Sequence, residues 1–98
     1  MDTPLFEIPD YLRELHHAAL TNTPDYATHI RKLAEECNEL AVNCLHFLDE
    51  KVSPKDVMEE MADVLVMLHR LLMMPMFRSH TEAFLYEKKL LRCLGGSK

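Results

Sequence analysis

Glu36 and Glu39 are three positions apart, and so are Glu60 and Asp63. On a helix, residues at this spacing share a side, so each pair projects its carboxylates together. Counted outward from the short segment Asp49 to Val52, the two pairs lie at comparable heights, and each borders an apolar stripe. Four carboxylates then converge at the edge of a helix–helix seam, where like charges repel unless a divalent cation sits between them. Oxygen donors alone suit magnesium, manganese or calcium, whereas zinc prefers His and Cys. Magnesium is the expected ion, with manganese as a substitute. It keeps positions for water and phosphate oxygens, and so makes an acidic pocket a receptor for a triphosphate. The plainer alternative is that Glu-x-x-Glu is a solvated helix face. Two such pairs on adjacent helices at matched heights favour the metal. Glu35 and Glu59 fall further from the seam and read as solvent-exposed or supporting residues.

Four helices are expected to position these side chains. Asp10 caps a first helix to about Leu20, with Leu12, Leu15 and Ala19 at helical spacing. Thr23-Pro24 opens a second and longest helix, marked on one face by Ile30, Leu33, Cys37, Leu40, Cys44 and Leu48. Ser53-Pro54-Lys55-Asp56 opens a third, whose stripe of Val57, Met61, Val64, Leu68 and Leu72 runs up to Pro75. Ser79-His80-Thr81-Glu82 has capping-box spacing for a fourth, which ends at Gly95-Gly96. The fold class is all-α: an antiparallel hairpin of the second and third helices, apolar stripes face to face, with two flanking helices. The apolar stripe and Met58, Met67, Met73, Met74 and Met76 exceed what a monomer of this size can cover. A homodimer or homotetramer completing a helical bundle is therefore expected.

Composition narrows the class. A chain of 98 residues fits one domain, residues 1–98. Nearly half of its residues are apolar and over a quarter charged, as in globular proteins. A formal charge of −5 argues against a nucleic-acid partner, which would need clustered Lys and Arg. Cys37, Cys44 and Cys93 form no CxxC spacing and read as buried free thiols in a reducing cytoplasm. The segment MDTPLFEIPDYL does not read as a signal peptide. The most apolar stretch, Val64 to Phe77, is broken by His69, Arg70 and Pro75 and is too short to span a bilayer. The expectation is a soluble cytoplasmic protein with no membrane partner.

Arg31-Lys32-Leu33 leads into Glu35-Glu36-Cys37-Asn38-Glu39, followed after a spacer by Glu60-Met61-Ala62-Asp63-Val64-Leu65. This pattern resembles the MazG-type all-α nucleoside triphosphate pyrophosphohydrolases, over roughly Pro24 to Arg92. The short chain is similar to the minimal single-domain versions associated with phages and bacteria, which for a phage protein implies the host cytoplasm. The resemblance implies that Glu36, Glu39, Glu60 and Asp63 bind magnesium. It also implies that Lys88 and Arg92, four apart on a later helix, contact the phosphates of a nucleoside triphosphate. The implied reaction is attack of water on the α-phosphorus, which releases monophosphate and pyrophosphate. One of the four carboxylates, Glu36 and Glu39 among them, or Glu35, would act as general base.

Other residues leave alternatives open. Lys88 and Arg92 share a stripe beside Phe84, Leu91 and Leu94, where they meet phosphate oxygens or form a solvated basic helix end. Asn43 lies one turn beyond Glu39 and hydrogen-bonds a ligand or water, or is a surface amide. Arg31 and Lys32 pair with Glu35 and Glu36 or contact phosphate. Glu14-x-x-His17 is a lone motif where a di-iron bundle needs two, and His16 and His17 read as surface or core-edge residues or reach the pocket from the first helix. Two rivals to the enzyme stand: a non-catalytic helical dimerisation or regulatory module, and a catalytically silent nucleotide sensor that keeps the metal site.

Overall fold

A computed structural model of the protein describes residues 8–78 and 82–95. All regular structure among them is helical: α1 (Asp10–Asn22), α2 (Tyr26–Leu48), α3 (Pro54–Leu72), the single turn α4 (Pro75–Arg78) and α5 (Glu82–Leu94). Helices α2 and α3 pack against each other along their length as a hairpin, while α1 and α4 meet α3. None of the helices among the described residues is long and apolar enough to cross a membrane.

The helix starts follow local chemistry, with two departures from expectation. Helix α3 begins as its sequence dictates: Ser53 Oγ accepts the Asp56 N–H at 3.3 Å, Asp56 Oδ2 accepts the Ser53 N–H at 2.8 Å, and Pro54 fills the first turn. These hydrogen bonds hold the Asp56 carboxyl below its ordinary pKa. Helix α2 is capped by Asp25 and not by Thr23; Asp25 Oδ1 accepts the Ala27 N–H at 3.2 Å. Thr23 is engaged otherwise, its N–H donating to the Ala19 carbonyl and closing α1, while Asp is at least as good a cap. Helix α1 is preceded by Pro9, whose carbonyl accepts from Leu12 and Arg13, and Asp10 sits inside the first turn. There its charge favours the helix dipole without capping. The capping sequence Ser79–Thr81 lies outside the described residues. Pro75 opens a separate turn, α4, ahead of the expected last helix.

The α2–α3 loop closes tightly. Glu50 adopts a left-handed conformation (φ 60°), its N–H donating to the Phe47 carbonyl at 3.0 Å and that of Lys51 to the His46 carbonyl at 2.9 Å. This motif satisfies the last carbonyls of α2 and turns the chain back within a few residues.

The core sits away from that loop, where Met67, Leu71 and Met74 are buried against Leu20, Tyr26, Leu33 and Phe77. The apolar stripes of α2 and α3 do not meet squarely. Toward α3, α2 turns His29, Leu33, Glu36, Leu40 and Asn43, whereas Ile30, Cys37, Cys44 and Leu48 are exposed. On α3, Val57, Glu60, Val64 and Met67 turn inward, leaving Met58, Met61, Leu65 and Leu68 exposed. The expectation of buried thiols is thereby overturned: Cys37, Cys44 and Cys93 are all exposed. For Cys37 and Cys44 the physical reason is rotation of α2 and α3 toward the borders of their stripes, which draws Glu36 and Glu60 into the seam; Cys93 lies on the exposed surface of α5. The radius of gyration, 15.6 Å, exceeds the value of about 13 Å for a compact chain of about 100 residues.

Candidate metal centre

Between the apolar core and the loop, three carboxylates from two helices converge. Glu36 of α2 and Glu60 and Asp63 of α3 each place a carboxylate oxygen so that all three lie within 4.8 Å of one another. Glu36 is only 6% exposed, Glu60 is half-buried and Asp63 stands at the rim. The buried Glu60 Oε2 has no hydrogen-bond partner, a costly condition for a polar atom away from water. The expected pairing of Lys32 with Glu36 forms, with Nζ 3.6 Å from Oε1.

Protonation reflects this crowding. The Glu36 carboxyl is pushed above its ordinary value, first by burial and then by the charge of Glu39. The Asp63 charge, and the hydrogen bond that protonated Glu36 donates to Asp63, act in the same direction, while Lys32 opposes them. Glu60 is raised as well, by burial first and then by Glu39, Asp63 and Glu59. Each upward shift measures the difficulty of holding several negative charges together in a partly dehydrated seam. A divalent cation reverses that difficulty, and its preference for oxygen donors fits this set, in which no His or Cys takes part.

The remaining sequence candidates fall at graded distances. Glu39 stands outside the group of three, exposed, but near enough for its charge to raise Glu36 and Glu60. With Glu60, Asn43, Val42 and His46 it lines a cavity of about 340 Å³. Asn43 is half-buried there. Glu35 faces a different cleft, one turn further from the loop, and Lys88 and Arg92 are exposed on α5. His17 is exposed, but His16 is buried and its Nδ1 accepts from Arg70 Nε at 3.3 Å. Burial first, then the charges of Arg70, His69 and His17, depress the His16 pKa.

Sequence reasoning missed Arg70 and His29. A signal exists: His29 precedes Glu36 by seven residues, and Arg70 follows Asp63 by seven. Two helical turns at that spacing keep each on the face of its carboxylate.

Compared with family models, curated proteins and solved structures, the chain matches none of them.

Proposed function

We propose that the protein is a magnesium-dependent nucleoside triphosphate pyrophosphohydrolase that converts a nucleoside triphosphate and water into the monophosphate and pyrophosphate. The observation that carries this reading is the meeting of Glu36, Glu60 and Asp63 across the hairpin seam, with an unpartnered buried oxygen on Glu60. These three carboxylates hold the ion, and Glu39 completes the set from the rim. A magnesium ion held there would supply positive charge to the phosphates and would activate water for attack. The protein's own groups position the rest. Asn43 offers an amide to the nucleotide from the adjoining cavity, Lys88 and Arg92 contact phosphate, and Glu35 or a carboxylate of the cluster accepts the proton of the attacking water.

The active form in this reading is a homodimer or homotetramer working in the cytoplasm. The exposed Met61, Leu65 and Leu68 on α3 and Leu90, Leu91 and Leu94 on α5 support an oligomer, because they form apolar surface on the outer faces of amphipathic helices. The same exposed stripes favour the second reading, a helical interaction module without catalysis. The two readings part on a panel of ribo- and deoxyribonucleoside triphosphates assayed with magnesium. Release of pyrophosphate and monophosphate supports the enzyme, and orthophosphate with diphosphate as first products overturns the assigned bond. No turnover, with magnesium leaving the melting temperature unchanged, favours the interaction module.

A further inference from the structure

One turn beyond Glu36, on the side away from the α2–α3 loop, α2 and α3 enclose a cleft of about 330 Å³, at the lower end of the range for small-ligand sites. Its lining is cationic in a chain of net charge −5: Arg31, Lys32 and Arg70 face it, with Glu35 as the single carboxylate. Thr23, Thr28 and the buried His29 add polar groups, and Met67 an apolar wall. Lys32 belongs to both sites, since it lines the cleft while its ammonium reaches Glu36 at 3.6 Å.

Arg70 is the unusual member. It is half-buried, yet no carboxylate lies within ion-pairing distance of it among the described residues. Its Nε donates to His16 Nδ1 at 3.3 Å, and one terminal nitrogen rests 3.7 Å from the Met67 sulfur, a weak acceptor. A guanidinium has five N–H donors in a rigid fork that matches phosphate oxygens two at a time. Held by a neutral imidazole and a thioether, its fork keeps both its charge and most of its donors uncompensated. Partial burial strips the guanidinium of some of its water without supplying a counter-charge, and an anion in the cleft would offset that loss.

We propose that this cleft binds the pyrophosphate portion of the substrate, with Arg70 as its principal donor and Arg31 and Lys32 at its mouth. The inference deepens the pyrophosphohydrolase reading and rests on it for the nucleotide, but the anion site itself stands on the cleft alone. The cations follow the carboxylates along the same two helices, Lys32 one turn from Glu36 and Arg70 two turns from Asp63. A phosphate chain therefore has one end at the carboxylate cluster and the other against the guanidinium. His16 holds Arg70 from α1 and is a positioning residue, not a ligand.

The probe is inorganic pyrophosphate, titrated calorimetrically into the intact protein with magnesium present. Arg70→Gln is expected to weaken binding at least tenfold, and Arg31→Gln, on the exposed rim, a few-fold. The magnesium-induced rise in melting temperature stays unchanged in both variants. Circular dichroism checks that each variant is helical. Should Arg70→Gln not fold, Arg70→Lys, which keeps the charge but loses the fork, is expected to weaken binding severalfold. Equal affinity for pyrophosphate in the parent and in the folded Arg70 variant overturns the proposal, as does an absence of binding to the parent. Because no turnover is measured, loss of binding in Arg70→Gln upholds the anion site even if the nucleotide panel shows no hydrolysis.

Discussion

Along the seam of α2 and α3 the carboxylates of Glu36 and Glu60 lie inside while much of the apolar surface lies outside, whereas α5 exposes charged and apolar residues together. Glu36 and Glu60 are drawn between two helices, lose water and feel the charges of Glu39 and Asp63, so their protonation is displaced upward. Lys88 and Arg92 keep their hydration on α5 beside the exposed Leu90, Leu91 and Leu94. Similar amphipathic patterns thus give different chemistry according to what packs against them. Charges that a fold dehydrates are poised to bind a counter-ion, and charges left in water are largely screened.

The sharpest way to test this contrast is to remove one leucine from each region. Leu71→Ala, in the buried core that supports the far end of the seam, is expected to cost about 2–5 kcal/mol of stability. Leu90→Ala, on the exposed face of α5, should change it by less than about 0.5 kcal/mol within a monomer. Denaturant titrations measure both. A large loss in Leu90→Ala would mean that its side chain is covered, by a partner copy in the present reading, and the loss would then depend on protein concentration.

Oligomerisation is broken from the outer face of α3. Leu65 is 44% exposed on a stripe with Met58, Met61 and Leu68, and a charge in the centre of such an interface weakens association by about 2 kcal/mol or more, some thirtyfold. Light scattering should find the parent as a dimer or tetramer and Leu65→Glu shifted toward monomer. A parent that is monomeric at micromolar concentration contradicts the oligomer. Smaller effects are expected on α5: neutralising Lys88 and Arg92 together should weaken triphosphate binding about three- to fivefold, in keeping with exposed charges, and leave the magnesium-induced melting shift untouched. Unchanged binding would assign both residues to a solvated helix end.

The acidic seam was legible in the sequence because the two three-residue spacings and the short loop between helices fix which carboxylates share a height. The helix starts were legible where a single cap was available, as at Ser53, and misassigned where Thr23, Pro24 and Asp25 competed. Rotation of the helices about their axes was not legible. Helical periodicity alone does not say which edge of a stripe faces a neighbour: of the expected stripe on α2, Leu33 and Leu40 turn inward beside Glu36, while Ile30, Cys37, Cys44 and Leu48 stay outside. The same rotation leaves Cys37 and Cys44 exposed, and the contact of Arg70 with His16, 54 residues away in sequence, depends on how α1 meets α3.

Acidity gives a subtler readout of the seam. Glu36 and Glu60 have pKa values raised above the ordinary 4.5, so the metal-free fold binds more protons than the unfolded chain. Their contribution to stability is complete below pH 4.5 and is lost as pH rises through the raised values. His16, lowered from 6.5, acts oppositely, its contribution being present above pH 6.5 and lost as pH falls through its depressed value. Asp56, lowered from 3.8, keeps its contribution above pH 3.8 and loses it in stronger acid. The difference between parent and Glu60→Gln isolates the seam. Melts in a chelator from pH 4.5 upward should show the parent losing ground to the variant as pH rises. Parallel profiles would mean that Glu60 feels no crowding.

The central claim, that the seam carboxylates form a cation site, is tested most directly by thermal melts of the parent and Glu60→Gln, each with chelator and with magnesium. In the parent, magnesium at tenfold its Kd stabilises by about 1.4 kcal/mol, a rise of roughly 6–11 °C for a domain of this size. Glu60→Gln removes one of the crowded charges and one ion ligand. Its metal-free form should melt at or above the parent, with most of the magnesium-induced rise gone. Equal rises in parent and variant would contradict the account.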